Sequence, residues 1–378
     1  PDRQAVVEQI REAIGTVVTM SSAPEVVPFG TLPVPDAAGR NDLALIPLHS
    51  SALSVGILTL GAALWTVEAP DRAGLPDHVA LHLAGAAAGD LTDRTRNPYL
   101  GATCGRVANR IAGATFELDG HRFDLPANDG RHHLHGGPDG FDRRIWDVAE
   151  LAPTDDGGRV VLALISPDGD QGYPGTVEIT VTYELHGRVL RIGHEAATDA
   201  PTIVDLTNHA YWNLAGPSAW GVPGSVADHE LRLPAERYLP VDAEHIPIGT
   251  LAPVAATPFD LRRPRLLADV VERLPSDLDH AFEVPEGEAE ERAAFDGLRF
   301  AAELHHPASG RNLTVATDRP ALQVYAGGQL DVPFARHAAI CLEAQHVPDV
   351  VHHPGLGSIV LRPGEHHHAT TDLTFGIR

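Results

Sequence analysis

Five short polar clusters stand in otherwise apolar, strand-like stretches of this 378-residue sequence. Histidine and glutamate side chains can exchange protons near neutral pH, and arginine, aspartate and asparagine bind polar groups by hydrogen bonds. The clusters are therefore the places to look for acid–base chemistry and for ligand binding. In chain order they contain Asn109-Arg110, His135, His209, Asp279-His280 and Glu343.

Glu343 stands out on physical grounds because it directly follows the apolar run Ala339-Ile340-Cys341-Leu342. That run predicts a largely buried strand, and a carboxylate in such surroundings is costly unless it is paired, hydrogen-bonded or functional. The alternative is that Glu343 points to the solvent side of its strand, and the pattern alone does not decide between the two. Asp279 has the same ambiguity, since a position in a loop would be ordinary.

Two histidines have local contexts that suit a function without requiring one. His209 lies in TNHAYWN and could be a packed core residue, a metal ligand, a neighbour of a stacked sugar or a proton donor. His135 precedes Gly136-Gly137, and two glycines let a backbone approach a ligand closely, although they also serve ordinary tight turns. Arg110 could equally be a surface ion-pair partner. These alternatives stay open on the local patterns alone.

Motifs for metals and cofactors are scarce. The chain has 22 histidines, with dense stretches HHLH, VHHP and EHHHATT, but it has no His-Glu-x-x-His arrangement and no Cys-x-x-Cys pair. His366 and His368 alternate along the chain, so on a strand they could hold an adventitious ion on one face. The sequence also lacks a phosphate-binding loop, a dinucleotide fingerprint and a Gly-x-Ser-x-Gly elbow. We therefore do not expect a functional metal.

The elements that must position these clusters are mostly short strands. The run ATFELDGHRFDL predicts a hairpin, because Asp119-Gly120 suits a two-residue type I′ turn. EGEAEERAAF is the one later helix candidate. Many strands, few helices and frequent Gly/Pro turns indicate an all-β fold, either a sandwich or a barrel. In the alternating run TVEITVTYEL, one predicted face carries Val177, Ile179, Val181, Tyr183 and Leu185.

The N-terminal segment differs from the rest of the chain. PDRQAVVEQIREAIGTVV predicts a helix with one apolar stripe that packs on the body of the protein or on a second subunit. The Pro- and Gly-rich segment SSAPEVVPFGTLPVPDAAG then predicts a linker or an irregular first strand. We accordingly expect a helix and irregular extension over residues 1–40 and a single β domain over residues 41–378.

The formal net charge is −23, and every fixed positive side chain is arginine. Such a chain repels phosphate backbones and anionic membranes, so neither nucleic acid nor a membrane is an expected partner. No signal peptide is visible, and no stretch approaches the roughly 20 apolar residues of a membrane span. These features predict a cytoplasmic protein, either a monomer or a homodimer. Cys104 and Cys341 are expected to be small buried residues without a disulfide.

Taken together, the clusters resemble the aldose 1-epimerase (galactose mutarotase) family. The resemblance covers roughly residues 45–378, and its motifs occur in the family's order: NPYLGATCGRVANRIAGATFELDG, LHGGPDGFDRRIW, TNHAYWNLAG, LDHAF, LQVYAG and CLEAQHVPD. It implies a large antiparallel β-sandwich, the galactose mutarotase-like supersandwich, with few short helices. It also implies a small-molecule monosaccharide bound in a cleft without a cofactor.

The resemblance implies roles for individual positions. Glu343 matches the general base, His209 the general acid, and His135 a second histidine near the ring oxygen. Swapping anomers requires removal of the C1 hydroxyl proton and protonation of the ring oxygen, then rotation about C1–C2 and closure. Reference pKa values of about 4.3 and 6.5 suit an ionised Glu and a protonated His near neutral pH. The sugar-binding positions that match are Asn109, Arg110, Asp279 and Gln323.

Neighbouring residues carry further expectations. Thr207-Asn208 is expected to fix the ring of His209, and Tyr211 or Trp212 could face the sugar, although core packing is favoured for both. Ala344 stands where the family usually has Thr or Ser, and Tyr325–Gly328 departs from a more usual Tyr-Thr-Gly-Asn. These departures bear on the identity of the substrate more than on the reaction.

Three other functions compete with this interpretation. A hexose-6-phosphate 1-epimerase would need an arginine cluster, for which Arg143-Arg144 and Arg262-Arg263 are candidates. A glycoside hydrolase would use two carboxylates, Glu343 and Asp279, but would not need the histidine pair. A non-catalytic sugar-binding protein on the same fold would need neither an acid nor a base.

Overall fold

The computed structural model describes residues 24–222, 224–274 and 277–378, and the helix predicted within residues 1–18 lies outside them. The described chain is built mainly of antiparallel strands, which confirms the all-β prediction. Numbered in chain order, the strands are β1 (Val27–Thr31), β2 (Asp42–His49), β3 (Ser54–Leu58), β4 (Ala63–Pro70), β5 (Pro76–His78), β6 (Thr103–Cys104), β7 (Arg110–Ile111), β8 (Thr115–Leu118), β9 (His121–Asp124), β10 (His133–Leu134), β11 (Asp147–Thr154), β12 (Gly157–Ser166), β13 (Val177–His186), β14 (Val189–Thr198), β15 (Thr202–Ile203), β16 (Thr207–Asn208), β17 (Tyr211–Trp212), β18 (Glu230–Arg232), β19 (Arg237–Leu239), β20 (Ala252–Pro253), β21 (Arg265–Leu266), β22 (Asp279–Glu283), β23 (Arg299–His305), β24 (Arg311–Thr317), β25 (Ala321–Tyr325), β26 (Ile340–Gln345), β27 (Val360–Leu361) and β28 (His367–Ile377).

Helices are short throughout the described chain. The two α-helical segments are α1 (Leu267–Val271) and α2 (Ala289–Ala293), and α2 falls in the acidic run that predicts a helix. None of the described helices is long and apolar enough to cross a membrane. Short 3-10 segments occupy Ala88–Thr92, Ala112–Ala114, Phe141–Arg143, Asp170–Gly172, Pro217–Ala219, Ser225–Asp228, Val350–His352 and Pro354–Leu356.

Three sheets carry most of the strands. Their orders are β11-β12-β13-β14-β28-β24-β23-β18-β21, β17-β26-β25-β22-β19-β20 and β1-β2-β3-β4-β5. The two smaller sheets meet edge to edge, because Ala80 bridges Trp212 and the Leu81 N–H donates to Tyr211 O at 2.9 Å. Two-stranded ribbons pair β6 with β16, β7 with β10, β8 with β9 and β15 with β27. The six- and five-stranded sheets therefore form one joined layer.

The largest hydrophobic core takes side chains from the nine-stranded sheet and from this joined layer. The joined layer contributes, among others, Val67, Leu322 and Leu342. This packing of two layers of sheet makes the fold a β-sandwich rather than a barrel. The alternate positions of β13 all lie in this core, as the period-two pattern predicts: Val177, Ile179, Val181, Tyr183 and Leu185.

Two local predictions can be followed in the strands. β8 and β9 form the expected hairpin, and both turn residues have positive φ, 50° at Asp119 and 76° at Gly120, as a type I′ turn requires. β1 occupies the Pro- and Gly-rich segment and pairs with β2, with a register shift between Pro28 and Gly30. That segment is therefore an irregular first strand rather than a linker.

Several histidines are buried in this framework. Burial lowers the pKa of His194, His229 and His367 to about 3. It lowers the pKa of His82 and His133 to about 4. These side chains stay neutral in the folded protein at pH values where they are protonated in the unfolded chain.

We expect the protein to lose stability on the acid side of neutrality. The folded pKa of these histidines lies below the unfolded value of about 6.5, so the unfolded chain binds more protons as the pH falls below it. Each extra proton bound by the unfolded chain lowers the free energy of unfolding by about 1.4 kcal/mol for every unit by which the pH falls. Tm followed by circular dichroism should fall steeply from pH about 7 to about 5. A flat Tm would contradict the prediction, and His194→Gln should make the fall shallower.

Candidate active site

Glu343 lies on β26, between β17 and β25, and both faces of this strand are buried. Leu342 and Ala344 belong to the main core, so Glu343 projects from the opposite face, where it is 2 % exposed. The alternative that Glu343 points to solvent is therefore wrong. Its Oε2 atom is buried without a hydrogen-bond partner. A buried, unpaired carboxylate oxygen is costly, and it marks this face of the sheet as a candidate for function.

Gln323 and Asp279 extend the polar face across two further strands. Gln323 of β25 stands opposite Glu343 in the strand register, and its Nε2 donates to Asp279 Oδ1 at 2.6 Å. Asp279 of β22 is 9 % exposed, so it does not lie in an open loop. Gln323 Oε1 is buried without a partner. Three neighbouring strands thus present two carboxyl groups and an amide on one face.

Asn109 and Arg110 approach this face from the ribbon of β7 and β10. Arg110 Nε forms a 2.7 Å ion pair with Asp129 Oδ2, and Arg110 Nη1 lies 3.7 Å from Asp279 Oδ2. Arg110 is 7 % exposed, so it is not a surface ion-pair partner. Asn109 has a φ of 60°, and its Oδ1 accepts from the Arg110 N–H at 2.8 Å. This turn directs the guanidinium toward the carboxylate.

His135 and Asn109 hold each other through two hydrogen bonds. The His135 N–H donates to Asn109 O at 3.0 Å, and the Asn109 N–H donates to His135 Nδ1 at 3.1 Å. Because Nδ1 accepts, the neutral imidazole carries its proton on Nε2. Gly136 follows with a φ of 83°, and a Cβ there would meet Gly105 O at 1.7 Å. The first glycine therefore admits another backbone segment, not a ligand.

His209 lies between β16 and β17, in a loop that is bonded to the turn before β6. The His209 N–H donates to Ala102 O at 2.9 Å, and His209 O accepts from the Gly101 N–H at 3.0 Å. In this position His209 Nε2 lies 3.7 Å from Glu343 Oε2. The two groups that could carry the acid and the base therefore face each other directly.

The ring of His209 is held mainly by packing. Its centroid lies 5.0 Å from that of Tyr211, and its Nδ1 lies 3.6 Å from Cys341 Sγ. Asn208 Nδ2 donates instead to Gly101 O at 2.7 Å. Asn208 therefore supports the backbone beside His209, whereas the sequence led us to expect that it would fix the ring.

The residues for which the resemblance implies roles come together in space. Direct contacts connect each of these residues to the next, and the pairing of β25 with β26 closes the circle. The rings of the two histidines have centroids 5.0 Å apart. In order around this circle of contacts, the residues are Glu343, His209, His135, Asn109, Arg110, Asp279 and Gln323.

Burial shifts the pKa of the three residues that could transfer protons. It lowers the pKa of His209 to about 4, and it lowers that of His135 well below 6.5, with the neighbouring His209 charge as the second cause. It raises the pKa of Glu343 well above its usual range, and the nearby Asp279 charge raises it further. The protein surroundings thus disfavour both the carboxylate and the imidazolium. The ionised Glu and protonated His inferred from reference values are therefore not the favoured state.

Donor atoms of His135, His209 and Glu343 lie within 4.8 Å of one another, so this group could surround a metal ion. Two histidines and a carboxylate are a donor set that zinc accepts. A histidine that binds a metal normally donates its other N–H to an acceptor. In His135 that other nitrogen accepts from Asn109, which leaves the proton on Nε2. The hydrogen bond therefore suits proton donation better than metal binding.

Some residues singled out from the sequence face away from this site. His280 packs with Phe259, at a centroid distance of 4.6 Å, and Trp212 is buried in the main core. Ala344 lines a core cavity of about 20 Å³ on the far side of β26. At Gly328 a Cβ would lie 1.1 Å from Asp277 Oδ2, so a side chain there would require the neighbouring carboxylate to move. Because Ala344 points into the core, the alanine found here in place of the family's usual Thr or Ser does not alter the polar face.

Tyr99 adjoins the site, although it was not among the residues selected from the sequence. Its ring centroid lies 4.7 Å from that of His135 and 5.7 Å from that of His209. The available signal was an aromatic residue inside the polar motif NPYLG, where apolar packing is not the first expectation. Cys341 is buried as predicted, and it too contacts His209.

Comparisons with known proteins identify the family of this chain. A sequence profile described as aldose 1-epimerase matches residues 45–374. The chain belongs to the aldose 1-epimerase family. Human galactose mutarotase is 38 % identical over 358 residues, which cover 92 % of this chain and 97 % of the human protein. As a member of this family, the protein is an isomerase that interconverts sugar anomers.

Solved structures support the same assignment. Galactose 1-epimerase from Lactobacillus acidophilus superposes with a TM-score of 0.76 at 30 % identity, covering 94 % of this chain and 99 % of that one. An aldose epimerase homologue from C. elegans has a TM-score of 0.78 at 27 % identity, with coverage of 94 % and 99 %. These matches confirm the mutarotase-like sandwich predicted from the motifs.

Glu343→Gln is expected to stabilise the fold, and more so at higher pH. The folded pKa of Glu343 is raised, so its carboxyl stabilises the fold fully below the unfolded pKa of about 4.3 and loses that contribution as the pH rises through the folded pKa. The amide cannot ionise and avoids this loss. Tm of wild type and variant should be compared from pH about 6 to about 9. The difference should widen with pH.

The matched control for this comparison is Glu178→Gln, since Glu178 is exposed on β13. Its Tm difference from wild type should stay constant over the same pH range. A difference for Glu343→Gln that shrinks with rising pH would contradict a buried carboxyl group with a raised pKa.

Proposed function

We propose that this protein interconverts the α and β anomers of a free aldohexose of the galactose or glucose type. The observation that carries the proposal is the buried Glu343 Oε2, which has no hydrogen-bond partner. It faces His209 Nε2 at 3.7 Å within the circle of seven polar residues. Such an arrangement is costly for the folded protein by itself. The C1 hydroxyl and ring oxygen of a sugar would supply the missing hydrogen-bond partners.

Ring opening needs one proton removed and one proton delivered. The Glu343 carboxylate takes the proton of the C1 hydroxyl, and the C1–O5 bond breaks with its electron pair on O5. His209, as the imidazolium, protonates O5, which leaves an open-chain aldehyde. Rotation about C1–C2 presents the other face of the aldehyde. The same transfers in reverse then close the ring as the other anomer.

A single proton shared by Glu343 and His209 is enough for this cycle. A carboxylic acid beside a neutral imidazole and a carboxylate beside an imidazolium hold the same proton in two positions. Burial favours the uncharged form, so the ion pair is the less populated and more reactive one. A base with a raised pKa and an acid with a lowered pKa each transfer protons more readily once that ion pair forms.

His135 has a different part in the proposal. Its Nε2 carries the proton because Asn109 occupies Nδ1, so it can donate a hydrogen bond without losing a proton. Its ring lies beside that of His209, at a centroid distance of 5.0 Å. A fixed donor here would stabilise the negative charge that develops on the ring oxygen.

The remaining polar residues would hold the sugar during ring opening. Arg110, Asp279 and Gln323 form a connected group of donors and acceptors on the far side of the polar face. Hydroxyl groups bound there would keep the open chain in place while C1 alone rotates. Holding a reactant in this way removes much of the entropic barrier to reclosure.

The phosphosugar alternative is less well supported by the positions of the arginines. Arg144 is paired with Asp170 at 2.8 Å, and Arg262 is paired with Asp260 at 2.8 Å. A phosphate would have to displace those carboxylates. The binding-protein alternative leaves the facing Glu343 and His209 without a purpose, since holding a sugar requires no acid and base.

Loss of either proton-transfer group should abolish most of the activity. Polarimetry of freshly dissolved α-D-glucose and α-D-galactose should show acceleration by wild type, and Glu343→Gln or His209→Asn should lower kcat by about 10²- to 10⁴-fold. Ala344→Ser, on the same strand but facing the core, is the matched control and should stay close to wild type. No acceleration of either sugar by wild type, or full activity of His209→Asn, would refute the proposal.

The pH dependence should be bell-shaped around neutrality. The active form of the pair holds one proton, so a second proton at low pH and loss of the last proton at high pH should both lower kcat/KM. Polarimetric rates corrected for the uncatalysed reaction at each pH give this profile. A rate that rises steadily with pH would instead indicate a single catalytic base.

A further inference from the structure

Tyr99 occupies a position that the proposed chemistry does not use. It sits in a tight turn with a φ of 63°, in the left-handed region that a tyrosine rarely adopts. Its ring is tilted by 56° against His135 and nearly parallel to His209, with an interplanar angle of 30°. One aromatic side chain therefore touches both of the histidines proposed to serve the ring oxygen.

Arg94 lies against the same aromatic ring. Its Cζ is 4.0 Å from the ring centroid of Tyr99, a cation–π distance. The guanidinium is held in turn by Asp142, with Nη1 to Oδ2 at 2.6 Å and Nη2 to Oδ1 at 3.1 Å. Only the Nη2 contact has hydrogen-bond geometry, and the Nη1 contact is a close charge–charge approach. The Asp142 side chain is 8 % exposed, so this ion pair is largely shielded from solvent.

The backbone of the turn is also tied to His209. The turn containing Tyr99 is bonded to the His209 loop through Gly101 and Ala102, as described above. Asn97 closes the turn, since its Oδ1 accepts from the Leu100 N–H at 2.9 Å. The position of Tyr99 is therefore coupled to that of His209 through both the main chain and the side chain.

The His209 ring depends on aromatic packing, from Tyr211 at a centroid distance of 5.0 Å and from Tyr99 at 5.7 Å, because its polar contacts are weak. Its Nε2 is 3.7 Å from Glu343, which is longer than a hydrogen bond, and its Nδ1 meets only the Cys341 sulfur at 3.6 Å. Packing must therefore fix its orientation. A displacement of about 1 Å at a reacting group can cost about 10²-fold in rate.

We propose that Tyr99 is a positioning residue that fixes the rings of His209 and His135, and that Arg94 and Asp142 clamp the tyrosine ring in place. The inference rests on the proposed function, because it concerns the same two histidines. The aromatic ring carries the effect and the hydroxyl does not. Burial raises the pKa of the phenol, so the hydroxyl takes no part in proton transfer near neutral pH.

Three variants of Tyr99 and Arg94 test the proposal by polarimetry with α-D-galactose. Tyr99→Leu removes the ring and should lower kcat by about 10- to 100-fold with little change in KM. Tyr99→Phe keeps the ring and should restore most of kcat. Arg94→Met removes the clamp and should lower kcat by a smaller factor, again with KM nearly unchanged. Calorimetric titration with galactose should show similar sugar affinity for wild type and all three variants.

The double variant Arg94→Met/Asp142→Asn is the matched control for charge. It removes the clamp without leaving Asp142 as an unpaired buried carboxylate, which by itself would destabilise the fold. Its kcat should fall as far as that of Arg94→Met alone. A return to wild-type kcat in the double variant would assign the effect to the stranded charge and would overturn the clamp.

Other outcomes would also overturn the inference. Wild-type kcat in Tyr99→Leu would show that the ring positions nothing. A Phe variant as slow as the Leu variant would assign the effect to the hydroxyl, and a raised KM at unchanged kcat would make Tyr99 a sugar contact. If Tyr99→Leu does not fold, the Arg94 variant decides, since Arg94 is 26 % exposed. Lack of acceleration by wild type would refute the proposed function itself, which separates the two failures.

Discussion

The structure depends above all on the burial of one carboxyl group in the middle of a sheet. Glu343 stands on a strand covered on both faces, and Arg110, whose positive charge acts on it, is engaged by Asp129 and Asp279. The surrounding protein therefore compensates the charge only in part, and the cost must be met by the large core on the other face of the same strand. The same lack of compensation raises the pKa of Glu343 and makes it a stronger base than a solvated glutamate.

The polar groups that surround Glu343 come from two kinds of element. Gln323 and Asp279 project from neighbouring strands, whose pairing fixes their spacing. The histidines and the arginine come from turns and short ribbons that lie across this face. Three non-glycine residues in those turns have positive φ: Tyr99, Asn109 and His135. Each such conformation costs on the order of 1 kcal/mol or more and persists only where the surroundings enforce it.

Hydrogen bonds between the turns provide that enforcement. Asn109 and His135 bond to each other twice, and the loop of His209 is bonded to the turn that follows Tyr99. One of these bonds also decides chemistry, because an N–H aimed at His135 Nδ1 fixes where the imidazole proton resides. Backbone conformation, tautomer and proton-donor geometry are thus set by the same few contacts.

Much of the fold could be predicted from residue patterns and motifs. Alternation placed five residues of β13 on one face, Asp119-Gly120 specified a type I′ turn, and the ordered motifs gave the family and its sandwich. These features are local, or they survive as a linear order of residues. α1 was missed because its five residues, LADVV, give too short a periodic pattern and include two β-branched valines. The equally short α2 was recognised because it lies in EGEAEERAAF, a run rich in good helix formers.

For the candidate site, less could be predicted from the sequence than for the fold. The motifs named its seven residues, but the chain alone left open whether Glu343 faced solvent. A period-two pattern shows which residues share a face of a strand, and it does not show what covers that face. The cover here comes from His209 and the turn of Tyr99, which are distant in sequence and adjacent only after the sheets pack. For the same reason, the pKa shifts, the tautomer of His135 and the contacts of Tyr99 were decided by the tertiary structure alone.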